Sequence, residues 1–100
     1  MDKDSILEIA KNYTDAIKIK MPFEKALLFG SFINGVPTES SDIDIAIIFK
    51  DFDNLIEKQV ELMRIRRKID SRIEPHPIRL ADYNVNNALA SEVLNYGVEI

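Results

Sequence analysis

The chain is expected to form an α/β domain, a small mixed β-sheet with helices packed against it, and three features lead there. Apolar residues recur at helical spacing near the N-terminus, through Ile6, Leu7, Ile9, Ala10, Tyr13, Ala16 and Ile17. Two compact apolar runs of strand length follow, Lys25 to Phe29 and Asp42 to Phe49. Helical patterns and a third extended stretch alternate after them. At 100 residues this is a single domain, 46% apolar and 30% charged, large enough to bury a core.

In order, Asp4 and Ser5 open an amphipathic helix over residues 4–19 that packs over the sheet, and Pro22 breaks it. Lys25 to Phe29 form the first strand, which runs into Gly30. Residues 31–35 make one helical turn ended by Gly35, and Val36 to Ser41, with Pro37 and the serines, make a loop. The second strand, Asp42 to Phe49, is apolar on both faces after its carboxylates (Ile45, Ala46, Ile47, Ile48), as befits a strand in the middle of a covered sheet.

After a polar loop capped by Asp53 or Asn54, a helix runs to about Ile69, with Leu55, Ile56, Val60, Met63 and Ile69 as its expected buried side. Arg64, Arg66, Arg67 and Lys68 crowd its C-terminal end. They suit either a solvated face that complements the helix dipole or a patch facing an anion or a partner. In Ser71 to Leu80, Arg72, Glu74, His76, Ile78 and Leu80 share one face of an extended segment, with Ile73 opposite. Pro75 and Pro77 remove two amide donors, so this strand ends, bulges or lies at a sheet edge. Asp82 caps a short turn, and Val85 to Leu94 form a last helix with Val85, Leu89, Val93 and Leu94 inward, closed by Gly97. Val98 to Ile100 add a short extended end.

Composition excludes several classes. No apolar run approaches the roughly 18–20 residues of a membrane span, and no signal peptide opens the chain. With no cysteine there is neither a disulfide framework nor a thiolate metal site, and a cytoplasmic location is expected. A net charge of −4 argues against general nucleic-acid binding, which needs a basic surface.

The chemistry concentrates in LLFGSFINGVPTESSDIDIAIIF, from Leu27 to Phe49. On an extended strand Asp42 and Asp44 project to one face, about 6.5–7 Å apart along the chain. Two carboxylates that close repel one another unless a cation sits between them. Carboxylate oxygens suit Mg²⁺, which takes waters and substrate phosphates as its other ligands, and such a pair can bridge two ions for an in-line phosphoryl displacement. Gly30 lets backbone approach a ligand closely. Ser31 can cap a helix start or offer its hydroxyl to a phosphate oxygen, beside amides that bind anions. Each half alone is common: a Gly-Ser step is usually a cap, and a D-x-D pair is often solvated.

Their order is less common. G-S, a second glycine, a polar loop and S-D-I-D followed by I-A-I-I resembles the DNA polymerase β-like nucleotidyltransferase superfamily. Within it the chain is most similar to the minimal nucleotidyltransferases, small relatives of kanamycin nucleotidyltransferase. The resemblance covers most of the chain. It implies the polymerase β-like fold and transfer of a nucleoside monophosphate, with ATP the preferred donor, to an acceptor hydroxyl. It implies that Gly30 and Ser31 hold the β- and γ-phosphates and that Asp42 and Asp44 bridge two Mg²⁺ ions. Glu74, in R-I-E-P-H-P, stands where relatives carry a third carboxylate, and as such it ligates the metal that activates the acceptor. The residue-level alternative for Glu74 is a surface carboxylate paired with Arg72, and His76 is a neighbour of the site or a structural histidine. One departure is Asn34, where a common family form has a basic residue.

Larger relatives bind the acceptor with an added helical domain, for which 100 residues leave no room. Minimal nucleotidyltransferases can instead act as antitoxins that adenylylate a tyrosine of a small helical HEPN-domain partner, and the resemblance implies that possibility here. Two other readings stay open. One is a non-catalytic partner-binding module, either an antitoxin or an assembly subunit. The other is a nucleotide or metal sensor. A homo-oligomer is also compatible with the sequence.

Overall fold

The computed structural model describes residues 3–35, 38 and 41–100. The expected loop residues Val36, Pro37, Glu39 and Ser40, and the Asn34 side chain, lie outside the described residues. The elements follow in the order α1 (Lys3–Lys20), β1 (Lys25–Phe29), α2 (Ser31–Asn34), β2 (Ile43–Phe49), α3 (Leu55–Arg66), β3 (Ile73–Arg79), a 3₁₀ turn (Leu80–Asp82), α4 (Ala88–Tyr96) and β4 (Val98–Glu99).

The four strands form one sheet in the order β3-β2-β1-β4. β1 is antiparallel to β2 and β4, whereas β2 and β3 are parallel, joined by the α3 crossover. The sheet is therefore mixed. β2 is central, and both its faces are covered, as its continuous apolar run requires. Ile43, Ile45, Ile47 and Phe49 turn to one side, into a core completed by Ile6, Ala10, Tyr13 and Ile17 of α1 and Leu62 of α3. Ala46 and Ile48 turn to the other, against Leu27, Phe29, Ile78 and Val93 of α4. The buried Tyr13 hydroxyl donates to the Leu62 carbonyl at 2.6 Å and ties α1 to α3. Burial pushes its phenol far above its ordinary pKa, against the opposing charge of Arg66.

β3 lies at the sheet edge, one of the positions its two prolines allow. Residues two apart on a strand direct their amides to the same side, so Pro75 and Pro77 place both missing donors along the outer margin. Two carbonyls on that margin are taken by α3: Arg66 Nη1 donates to Ile73 O at 2.7 Å and Gln59 Nε2 to Pro75 O at 3.4 Å. The turn into β3 is held by Asp70, whose Oδ1 accepts from the Arg72 amide (2.9 Å) and Nε (3.0 Å), with Oδ2 2.7 Å from Arg72 Nη2. These Arg72 bonds hold the Asp70 carboxyl below its usual pKa, against the opposing effect of burial. Arg72 O in turn accepts the Ile43 amide at 2.8 Å, so this turn sets where β2 begins.

Three expectations are corrected. The buried side of α3 is carried by Leu62, with Met63, Ile65 and Ile69 partly buried, while Leu55, Ile56 and Val60 are exposed. The helix also stops at Arg66, before Ile69. Lys58 explains the shifted face. It lies partly buried on the inward side with its ammonium 5.1 Å from the Phe49 ring centroid, so a charged residue fills an apolar position. The last helix begins at Ala88 and not at Val85, which is 72% exposed, and Leu94 is exposed too. Asn84 Oδ1 accepts the Asn86 amide, holding the chain in a turn, and Asn87 Oδ1 accepts the Ala90 amide as the true cap. As expected, Gly35 ends α2, in extended backbone.

Candidate active site

β1 runs into the one described residue with a positive φ. Gly30 adopts φ 82°, ψ −152°, a region that L side chains rarely enter. A Cβ placed there would overlap the Asp44 carboxylate and stand 3.0 Å from its Cγ. The glycine thus serves two ends: it lets β1 break sharply into α2, and it lets the Asp44 carboxylate lie against the backbone. The antiparallel register supports this approach, since Phe29 is opposite Asp44.

Ser31 is the first residue of α2. The cap is Gly30, with no side-chain capping bond, so the capping role for Ser31 is not realised. Among the described residues its hydroxyl makes no hydrogen bond, and it remains available next to the Gly30 turn. The first backbone bond of this turn runs from the Ile33 amide to Gly30 O at 3.0 Å.

Asp44 is the second residue of β2 and partly buried. Asp42 precedes the strand by one residue and is exposed, so the strand pleat alone does not fix the pair side by side. Parallel pairing puts Glu74 at the same register position as Asp44, and His76 at that of Ala46. His76 reaches diagonally: its Nε2 is 3.0 Å from Asp44 Oδ1, and its ring stands edge-on to Phe29 with centroids 5.1 Å apart. His76 is thus a neighbour of Asp44 and of Phe29. Glu74 does not pair with Arg72, which is engaged by Asp70; its carboxylate is 3.8 Å from Arg66 Nη1.

The donor set consists of carboxylate oxygens, the chemistry of a hard divalent cation, and the space beside Gly30 is taken by the Asp44 carboxylate. Among the described residues, however, no three Asp, Glu or His side chains gather around one cation position. The structure brings Gly30, Asp44 and His76 together, leaves Asp42 at the open end of β2, and turns Glu74 toward α3. Sequence reasoning missed Arg66 and Phe29 as neighbours. Phe29 carries a signal in retrospect, since it directly precedes Gly30, but Arg66 is linked to Glu74 only through the crossover.

Comparison with known proteins bears on family and fold. The family model described as "Polymerase beta, Nucleotidyltransferase" matches residues 4–100. A Methanocaldococcus jannaschii protein named as a protein adenylyltransferase is 33% identical over 100 residues, covering 95% of this chain and 98% of its own. Among solved structures, a toxin-antitoxin with AMP-PNP aligns with a TM-score of 0.66 at 25% identity, over 89% of this chain and 70% of that one. A complex of a tri-AMPylated Shewanella oneidensis HEPN toxin with its MNT antitoxin aligns with a TM-score of 0.63 at 22% identity, over 94% and 70%, a likeness of fold. A family model matched over residues 4–100, and a relative 33% identical along nearly its whole length, make this chain a nucleotidyltransferase of the polymerase β family.

Proposed function

We propose that the chain transfers AMP from ATP to an acceptor hydroxyl, with a tyrosine of a helical HEPN-type partner as the acceptor, and so acts as an antitoxin. The observation that carries this reading is the packing of the Asp44 carboxylate on Gly30, which sets a fixed acidic group beside a backbone turn that a phosphate can approach. Gly30 and Ser31 hold the β- and γ-phosphates, the latter through its hydroxyl. Asp42 and Asp44 would hold Mg²⁺, with Glu74 completing the set once it turns from Arg66. Bound there, the metal supplies neutralisation of phosphate charge.

In the transfer, the acceptor oxygen forms a bond to the α-phosphorus, the bond from that phosphorus to the bridging oxygen breaks, and pyrophosphate leaves. Glu74 takes the acceptor proton. Its ion pair with Arg66 is long and partly solvated, so little is lost when Glu74 turns to the site. The name of the Methanocaldococcus relative and the AMP-PNP and HEPN complexes of the structural neighbours support donor and acceptor class. A second reading, a partner-binding module without turnover, is favoured by the occupied state of Asp44 and Glu74, which His76 and Arg66 already engage.

Thermal unfolding with each NTP, with and without Mg²⁺, separates the two. ATP at about 100 times its dissociation constant should stabilise the wild type by about 2.7 kcal/mol, only with Mg²⁺. The double variant Asp42→Ala/Asp44→Ala should show no such shift. A wild type that no NTP stabilises would leave the partner-binding module as the function.

A further inference from the structure

α3 carries a second apolar face that the fold does not use. Leu62, Ile65 and the stem of Lys58 turn inward, while Ile56 is 73% and Val60 41% exposed on the outer face, with Met63 at its margin. Val60 lies four residues after Ile56 and four before Arg64, so the three form one stripe along the helix. On one flank of Val60 stand Ile56 and Met63. On the other stand Glu57 and Arg64, neither in an ion pair among the described residues.

We infer that this face pairs with the same face of a second copy, two α3 helices meeting antiparallel about a two-fold axis at Val60. An isologous contact requires a surface complementary to itself, and the positions meet that requirement. Val60 meets Val60. The two-fold brings residues before Val60 on one helix opposite residues after it on the other, flank to like flank. Ile56 then lies against Met63 of the second copy, and Glu57 against its Arg64. Each contact occurs twice, and both are matched in kind, apolar with apolar and acid with base. The exposed Asp53, just ahead of the helix, falls beside Arg67 of the second copy in the same arrangement. Parallel pairing would carry each flank onto the opposite one, setting Glu57 beside Ile56 and Arg64 beside Met63 of the second copy with no charge matched, so the charges also fix direction. One helix pair of this length buries less than a standard interface of about 800 Å² per partner, and a reversible dimer follows. The contact is independent of the transfer chemistry, because Glu57, Val60 and Arg64 lie on the outward face of α3 and none of them belongs to the site.

Sedimentation of the full chain from about 1 to about 500 µM (a range that brackets micromolar association) tests this directly. The wild type should pass from monomer to dimer, and Val60→Lys should stay monomeric with unchanged thermal unfolding. Glu57→Arg or Arg64→Glu alone should weaken association at least about tenfold, since each sets like charges across the axis. The double variant Glu57→Arg/Arg64→Glu restores opposite charges and should recover most of the loss. A wild type that is monomeric throughout overturns the inference, as would a dimer indifferent to Val60→Lys. Failure of the double variant to recover would overturn the antiparallel register. A face that stays monomeric alone but is covered by an added helical partner also overturns it, assigning the surface to that partner.

Discussion

A side chain at Gly30 meets two separate obstacles, and they can be measured apart. The backbone conformation costs a non-glycine residue about 1–3 kcal/mol, and the new Cβ must displace the Asp44 carboxylate. Gly30→Ala should lower the unfolding midpoint by at least about 4–8 °C, the shift expected per kcal/mol in a domain of this size. Adding Asp44→Ala should recover the steric part and leave the backbone part, so the two substitutions should be non-additive. His76 bears on the same carboxylate from the other side. His76→Leu keeps an apolar contact for Phe29 but removes the nitrogen 3.0 Å from Asp44 Oδ1. The Mg²⁺ concentration needed for ATP-dependent thermal stabilisation should then rise about 10–100-fold, as when a ligand loses its outer hydrogen bond. His76→Gln, which can place an amide nitrogen near the same point, should recover much of it. An unchanged Mg²⁺ requirement in His76→Leu would reduce the histidine to a packing residue.

Among the elements, the α3–β3 turn carries a charge whose effect on stability has a definite sign. Asp70 titrates lower in the folded chain than in the unfolded one because Arg72 bonds its ionised form. Its contribution is therefore complete above the unfolded aspartate value and is lost as the pH falls through the lowered folded value. Denaturant midpoints should show Asp70→Asn less stable than the wild type at neutral pH, with the gap closing in acid. The elements also show what a sequence can reveal. Two prolines two residues apart restricted β3, and an edge satisfies them. The run Ile45 to Ile48 reads as a doubly covered strand because nothing polar interrupts it. The face of α3 was illegible for the opposite reason: apolar residues lie on both sides of that helix, and Lys58 occupies an inward position by folding its stem along Phe49. The early start expected for α4 failed because the Asn84 and Asn87 side chains, not apolar spacing, decide where the chain enters the helix. In the site, Gly30 and Asp44 were legible through the motif, but the pairing of Glu74 with Arg66 depends on how the crossover lays α3 over the sheet margin.

For the molecule as a whole, a mixed sheet with its carboxylates at the start of the central strand was readable from the order of its elements, and the family match extends over residues 4–100. Among the described residues no helix is long and apolar enough to cross a membrane. The β3 margin has one more consequence. An exposed strand edge is a template: a passing peptide can extend the sheet by hydrogen bonding, and identical chains can stack into cross-β fibrils. Here Pro75 and Pro77 supply no donors along that margin, and Arg66 and Gln59 cover two of its acceptors. Strand addition has no footing on that side, even though the strand beside it is the most apolar in the chain. Partners meeting this part of the molecule are thereby confined to side-chain recognition, and a sheet rich in isoleucine is kept from growing across β3.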